Sequence, residues 1–221
     1  MRRRINWKAC RALAGLALAA SLPSAVPASD AAQHIILFFG DSLTAGYGLA
    51  DPDSQSYPAQ FQRRIDAEHL PWRVVNAGLS GETSAGGLRR IDWVLRQPLD
   101  VFVLELGGND GLRGTPTETT RANLQAIIDR VRSKYPSAKV ILAGMRMPRN
   151  MGPEYAEAFR AIYPALAQKN GIALIPFLLD GVAGRPELNQ YDGIHPTPEG
   201  ASVIADEVWK SIGPVLKGYG K

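Results

Sequence analysis

The sequence predicts an α/β domain built on a parallel sheet. Three observations carry this. Short apolar runs of strand length recur along the chain. Longer segments of helical period separate them. A polar, glycine-bearing segment follows each of the first three runs. The strand candidates are Ile35–Phe39, Arg73–Val75, Val101–Leu106, Val140–Ala143 and Ile172–Ile175. They are close to uniformly apolar, as strands covered on both faces are. In one intervening segment Leu124, Ile128, Val131 and Tyr135 repeat at three-to-four spacing before Pro136 stops the helix. The last helix is predicted to open at Thr197-Pro198, a capping hydroxyl followed by proline in the first turn, and to bury Ile204, Val208, Ile212 and Val215. No internal repeat, low-complexity tract or linker divides the chain.

Composition places these elements in one globular domain. The chain has 221 residues, 45% hydrophobic and 21% charged, which argues against disorder. Residues 1–28 read as a separate segment. Arg2, Arg3, Arg4, Lys8 and Arg11 form a basic start, an apolar stretch runs from Ala12 to Leu22, and small residues reach Val26-Pro27-Ala28. This is the pattern of a secretory signal cleaved near Ala28, and it is too short to serve as a membrane-spanning helix. Asn6-Trp7 fits twin-arginine export poorly, and Cys10 precedes the apolar stretch, where lipidation has no use for it.

The expected product is residues 29–221, a single domain, periplasmic or secreted and without stable membrane insertion. All five charges of the leader are basic, so its loss turns the formal charge from +4 to −1. The basic balance then gives no reason to expect nucleic acid as a partner. The only cysteine, Cys10, leaves as well, which excludes disulfides, a cysteine nucleophile and a thiolate-held metal from the product.

In an open parallel sheet, ligands bind beyond the carboxyl ends of the strands. Gly40-Asp41-Ser42 follows the first strand candidate, Asn76-Ala77-Gly78 the second and Gly107-Gly108-Asn109-Asp110 the third. Tyr191-Asp192-Gly193-Ile194-His195-Pro196 lies between the last strand and the last helix. A serine hydroxyl needs a base within hydrogen-bond reach, and the base needs an orienting group. The chain has three histidines. His34 begins a strand and His69 ends a helix, whereas His195 stands in Asp192-x-x-His195, a spacing that can bring carboxylate onto imidazole within one turn. Ser42 is therefore the candidate nucleophile, His195 the base and Asp192 its orienter.

The backbone N–H groups of Ser42 and Gly78 and the side-chain amide of Asn109 are candidate oxyanion donors. Each feature has a plainer use when taken alone: Ser42 and Asn109 as helix caps, Gly78 and Asp192-Gly193 as turns, and His195 as a loop residue capping the last helix. Asp41 is expected to bond nearby backbone and hold Ser42 in place, and Asp110 to cap the helix or turn after Asn109. Glu105, in an otherwise apolar run, reads as a buried, paired carboxylate without an assigned role. Gly81–Gly87 looks like a phosphate cradle but lacks the Gly-x-x-x-x-Gly-Lys pattern, so it reads as a loop and helix start.

Taken together, Gly40-Asp41-Ser42-Leu43, Gly78, Gly107-x-Asn109-Asp110 and Asp192-x-x-His195 resemble the four ordered blocks of the SGNH hydrolases, also called GDSL esterases or lipases. The longer stretches Leu106–Gly114 and Asp192–Pro196 look like the bacterial periplasmic acyl-CoA thioesterase, lysophospholipase and arylesterase group.

The resemblance implies a flavodoxin-like three-layer α/β/α fold with a five-stranded parallel sheet. It assigns Ser42, Asp192 and His195 as catalytic residues and Ser42, Gly78 and Asn109 as the oxyanion hole, with no metal or organic cofactor. The substrates it implies are small acyl esters, thioesters or lysophospholipids. The acid three residues before the histidine, and Leu43-Thr44 after the serine, depart from the Gly-x-Ser-x-Gly elbow of α/β-hydrolases. Two other readings accompany this one: a carbohydrate O-acetylesterase using the same site, and a non-catalytic periplasmic lipid carrier. Specificity is expected in the loops Gly78–Gly86, Gly111–Thr115 and Met147–Pro153.

Overall fold

A computed structural model of the chain describes residues 33–219. The leader expected over residues 1–28 lies outside the described residues. Five strands, β1 (His34–Gly40), β2 (Trp72–Gly78), β3 (Val101–Glu105), β4 (Lys139–Ala143) and β5 (Ala173–Ile175), form one sheet in the order β2-β1-β3-β4-β5. Every neighbouring pair is parallel. The helices are α1 (Ser42–Ala45), α2 (Pro52–Gln55), α3 (Tyr57–Ala67), α4 (Ser84–Val94), α5 (Gly108–Leu112), α6 (Thr117–Lys134), α7 (Pro153–Asn170) and α8 (Pro198–Gly218).

Consecutive strand residues point to opposite faces of a sheet, and Phe38 and Phe39 make the layers visible. The Phe38 ring meets Tyr57 and Phe61 of α3, and Phe61 meets Trp209 of α8. Phe39 instead lies under Arg90 of α4, which packs on α6, and α6 on α7. The sheet is thus sandwiched between α3 with α8 and α4 with α6 and α7. Burial of strand residues 36–39 and 101–104 is complete, which explains why those runs carry no polar alternation.

Thr197 caps α8 through its side chain, which accepts from Gly200 N, and Pro198 opens the first turn. The buried stripe is Ile204, Val208, Ile212 and Leu216, each worth about 1.5–3 kcal/mol of burial. Val215, expected on this stripe, is half-buried at its edge, because a strict four-residue step from Ile212 reaches Leu216.

The larger correction concerns β2. The segment Asn76-Ala77-Gly78, expected as a loop, is strand. It pairs in register with Phe38, Phe39 and Gly40 of β1. Ladder pairing with a fully buried neighbour overrides the turn-forming character of Asn and Gly. Among the described residues no helix is long and apolar enough to cross a membrane.

Candidate active site

Ser42 stands two residues past the end of β1 and opens α1. Its Oγ lies 2.8 Å from His195 Nε2, and His195 Nδ1 lies 2.6 Å from Asp192 Oδ2. The Asp192-x-x-His195 spacing works through a local turn. Asp192 Oδ1 accepts from Ile194 N (2.9 Å) and His195 N (3.0 Å), and Gly193 supplies the positive φ of 69° that the turn requires. One oxygen of the carboxylate thus folds the loop and the other holds the ring. Burial pushes the Asp192 carboxyl up, but the hydrogen bonds from the His195 ring, His195 N and Ile194 N outweigh it and hold the group at about 2. The Tyr47 ring leans on the imidazole at a centroid distance of 4.8 Å.

The nucleophile's turn is held from beneath. Asp41 caps α1, its Oδ1 accepting from Leu43 N (3.0 Å) while Oδ2 accepts from the Asn109 amide (3.1 Å). Asp41 therefore does bond the local backbone, and it also reaches the next loop. Burial raises its carboxyl to about 6, against the hydrogen bonds from Leu43 N and Asn109. Asn76, at the end of β2, donates to Thr44 O (2.8 Å) and ties α1 to the sheet.

The expected oxyanion donors separate. No backbone acceptor among the described residues takes the Ser42 N–H, and Ser42 lines the cleft. Asn109 lines the same cleft, its amide oriented by Asp41 and by Glu82 O (3.0 Å). Gly78 does not join them, and the expectation for it is corrected. Its N–H is given to Asn76 Oδ1 (2.9 Å), and a Cβ there would fall 2.2 Å from Ala45 N. This glycine seats α1 against the sheet and lines no part of the cleft.

Three residues further on, Gly81 lines the cleft with φ +79°. Its N–H has no acceptor among the described residues, and Arg113 Nη2 holds its carbonyl at 3.2 Å. Glu82, next to it, is paired with Arg90, which also donates to Ala77 O (2.8 Å) and Gly40 O (3.3 Å), so the loop is pinned to the ends of β1 and β2. In the sequence Gly81 is marked only as a glycine between Ser80 and Glu82 in the loop that leads to α4.

Asp110 is also a cap, but of a different helix from the one expected. It accepts from Ser84 N (2.7 Å) and Ser84 Oγ (2.6 Å) at the start of α4. His34 stacks between Trp72 and Tyr219 at the far end of the sheet, remote from the cleft.

The cleft above Ser42 has a volume of about 960 Å³. Leu112, Met145, Met147, Pro148, Phe177 and Leu179 make it apolar on one side. Five of the six come from the segments that follow β4 and β5, so the apolar lining lies toward the β4–β5 edge of the sheet. Among the described residues no group of three His, Cys, Asp or Glu side chains is placed to hold a metal ion.

A hydroxyl, an imidazole and a carboxylate in line suit the chemistry of serine ester hydrolases, and this chain is one of them by kinship. It belongs to the GDSL-like Lipase/Acylhydrolase family, which matches residues 38–203. It is 40% identical over 202 residues to Esterase TesA of Pseudomonas aeruginosa, covering 91% of this chain and 98% of that one. It is 40% identical over 187 residues to Thioesterase 1/protease 1/lysophospholipase L1 of Escherichia coli K12, covering 84% and 86%. The crystal structure of TesA superposes with a TM-score of 0.78 at 42% identity, covering 82% of this chain and 99% of that one. The resemblance of the four sequence blocks and the expected five-stranded fold are both borne out.

Proposed function

We propose that Ser42 is the nucleophile, His195 its general base, Asp192 the orienter, and that the oxyanion is held by Ser42 N, Gly81 N and the Asn109 amide. The observation that carries this reading is the continuous chain Asp192 Oδ2–His195–Ser42 Oγ, with links of 2.6 and 2.8 Å. In the first step the Ser42 Oγ–acyl bond forms as the bond from the acyl carbon to the leaving oxygen or sulfur breaks. His195 takes the hydroxyl proton and gives it to the departing alcohol or thiol. In the second step water attacks the acyl-enzyme, its proton passes to His195, and the proton returns to Ser42 as the acid leaves. Asp192, kept ionised by its three hydrogen bonds, fixes the tautomer with Nε2 free and stabilises the imidazolium. The Asn109 hydrogen now given to Asp41 is the one a substrate oxygen would share.

The substrates are carboxylic esters and thioesters with acyl chains. The apolar side of the cleft supports this, as do the esterase, thioesterase and lysophospholipase names of the relatives. Residues 1–28 act as a signal removed near Ala28, delivering the domain to the periplasm or the medium. The test is a panel of p-nitrophenyl esters, acetyl to octanoyl, with an acyl-CoA thioester alongside, run on wild type and Ser42→Ala. Wild type is expected to prefer the longer chains and Ser42→Ala to lose turnover throughout. Hydrolysis by Ser42→Ala at the wild-type rate would overturn the assignment, and a preference for acetyl esters of sugars would overturn the substrate class.

A further inference from the structure

β3 is Val101-Phe102-Val103-Leu104-Glu105, and all five residues are buried. Its final carboxylate, 0% exposed, sits where a leucine would complete the pattern. In the β1–β3 ladder Glu105 pairs with Gly40, two residues before Ser42. Its Oε2 accepts from the Thr44 hydroxyl at 2.7 Å and from Asp41 N at 3.1 Å. These two donors flank Ser42 on either side. The Thr44 hydroxyl, having given its hydrogen to Glu105, accepts from Tyr57 OH at 2.8 Å, so a one-way chain runs Tyr57 to Thr44 to Glu105. The glycine of Gly40-Asp41-Ser42 makes room for this chain. A Cβ at position 40 would lie 2.1 Å from Thr44 Oγ1 and 2.3 Å from Glu105 Oε2. The other carboxyl oxygen, Oε1, has no hydrogen-bond partner among the described residues.

An ionised carboxylate with one bare oxygen in a dry site is strongly disfavoured. Burial first, and the neighbouring Asp41 charge second, raise the Glu105 carboxyl well above its ordinary value. Among the described residues no cation offsets this: the charge acting on it is that of Asp41, itself an acid, and Tyr57 and Tyr163 are raised in turn by the Glu105 charge. An acid at this position costs stability that a leucine would not, so its benefit is to be sought in the turn it holds.

We propose that Glu105 is a positioning residue for Ser42: through the Thr44 hydroxyl and the Asp41 N–H it fixes the turn that aims Ser42 Oγ at His195 and, through Asp41, the Asn109 amide. This rests on Ser42 being the nucleophile. Replacing the acid by an apolar side chain of similar size leaves Thr44 and Asp41 N without their acceptor, and the turn can then shift while the sheet stays packed. Misplacement of about 1 Å at a reacting group costs on the order of 10²-fold.

The experiment compares Glu105→Leu, Glu105→Gln and Thr44→Val with wild type, counting active enzyme by fluorophosphonate labelling of Ser42 and measuring kcat, KM and the labelling rate. Glu105→Leu and Thr44→Val are expected to lower kcat and the labelling rate about 10–100-fold, with KM within about threefold. Glu105→Gln keeps an oxygen for both donors and is neutral, so it is expected to stay within about threefold of wild type. If labelled Glu105→Leu turns over at the wild-type kcat, Glu105 is only a structural residue and the proposal fails. It fails equally if Glu105→Gln is as impaired as Glu105→Leu. Should Glu105→Leu not fold, Thr44→Val decides in its place: a fall in kcat supports the positioning chain and an unchanged kcat overturns it. The underlying reading has a separate control. If Ser42→Ala remains active, the nucleophile is misassigned whatever Glu105 does.

Discussion

The two halves of the site are held in opposite ways. The Ser42 turn is anchored by groups on four other elements: the buried Glu105 on β3 and Tyr57 on α3, with Asn76 on β2 and Asn109 on α5. The His195 loop is folded by its own groups and meets the Ser42 side through Tyr47, whose carbonyl accepts from the Gln190 amide. Asp192 folds it with bonds to the two N–H groups just ahead, Gln190 N donates to His195 O, and Tyr191 beside them is fully exposed. The Ser42 turn is therefore tied to the core, whereas Asp192 and His195 form a surface turn placed against it. Damage to the first should cost both stability and turnover, and damage to the second should cost turnover alone.

The largest effects sharpen this contrast. Ser42→Ala and His195→Ala are each expected to lower kcat by on the order of 10⁶, with the melting temperature of His195→Ala close to wild type. Asp192→Asn keeps the shape of the turn but loses the orienting charge, so kcat should fall about 10⁴-fold. Thermal unfolding of the same samples checks that the loop variants remain folded. A loss of several degrees in Asp192→Asn would show that the loop supports the core and would break the comparison.

Asn109→Ala, which removes a single oxyanion donor, is expected to cost about 10²–10³ in kcat, measured with saturating octanoyl ester. The two glycines at the end of β2 and just past it come next. Gly78→Ala drives a methyl into the backbone of α1 and should cost about 1–3 kcal/mol of stability, visible as a lower denaturation midpoint. Gly81→Ala meets no atom within 4 Å but keeps a φ of +79°, so it should cost about 1 kcal/mol yet lower kcat about tenfold or more by moving its N–H. An equal loss of activity in both variants, with equal stability, would remove the distinction drawn between them.

The smallest effect is a pH dependence of stability. Asp41 is raised from 3.8 to about 6 and Glu105 well above 4.5, both by burial. Each folded-state value lies above the unfolded one, so each group takes up a proton on folding. Its contribution is complete below the unfolded value and is lost as pH rises through the folded value. For Asp41 that window runs from about pH 4 to about pH 6. Glu105→Gln abolishes its own share, so its melting temperature should rise relative to wild type as pH increases above 4.5. Asp192 behaves oppositely. Held at about 2, it contributes above its ordinary value and loses that contribution as pH falls through 2. A constant difference between Glu105→Gln and wild type from pH 4 to pH 9 would contradict the neutral assignment.

Local features were legible in the sequence and distant ones were not. Asp192-x-x-His195 announces its own turn because donor and acceptor lie three residues apart, and the Thr197-Pro198 cap and the α8 stripe are equally local. Ser42 was legible through topology, as a hydroxyl just past a buried strand end. Gly78 was misread because Asn-Ala-Gly has turn character, while the actual end of β2 is decided by pairing with Phe38–Gly40 more than thirty residues earlier. Gly81 could be separated from Gly78 only once that end was known. The partners of Glu105 and Asp110, 64 and 26 residues away, follow from the packing of layers, which no spacing rule encodes.

The central claim is that a core-anchored Ser42 is acylated with the help of His195. The direct measurement is mass spectrometry of the enzyme quenched in acid during turnover of an octanoyl ester. The account predicts one octanoyl adduct, on the peptide carrying Ser42, formed rapidly in wild type and orders of magnitude more slowly in His195→Ala. An adduct on a different residue, or steady turnover with Ser42 unmodified at every quench time, would contradict it.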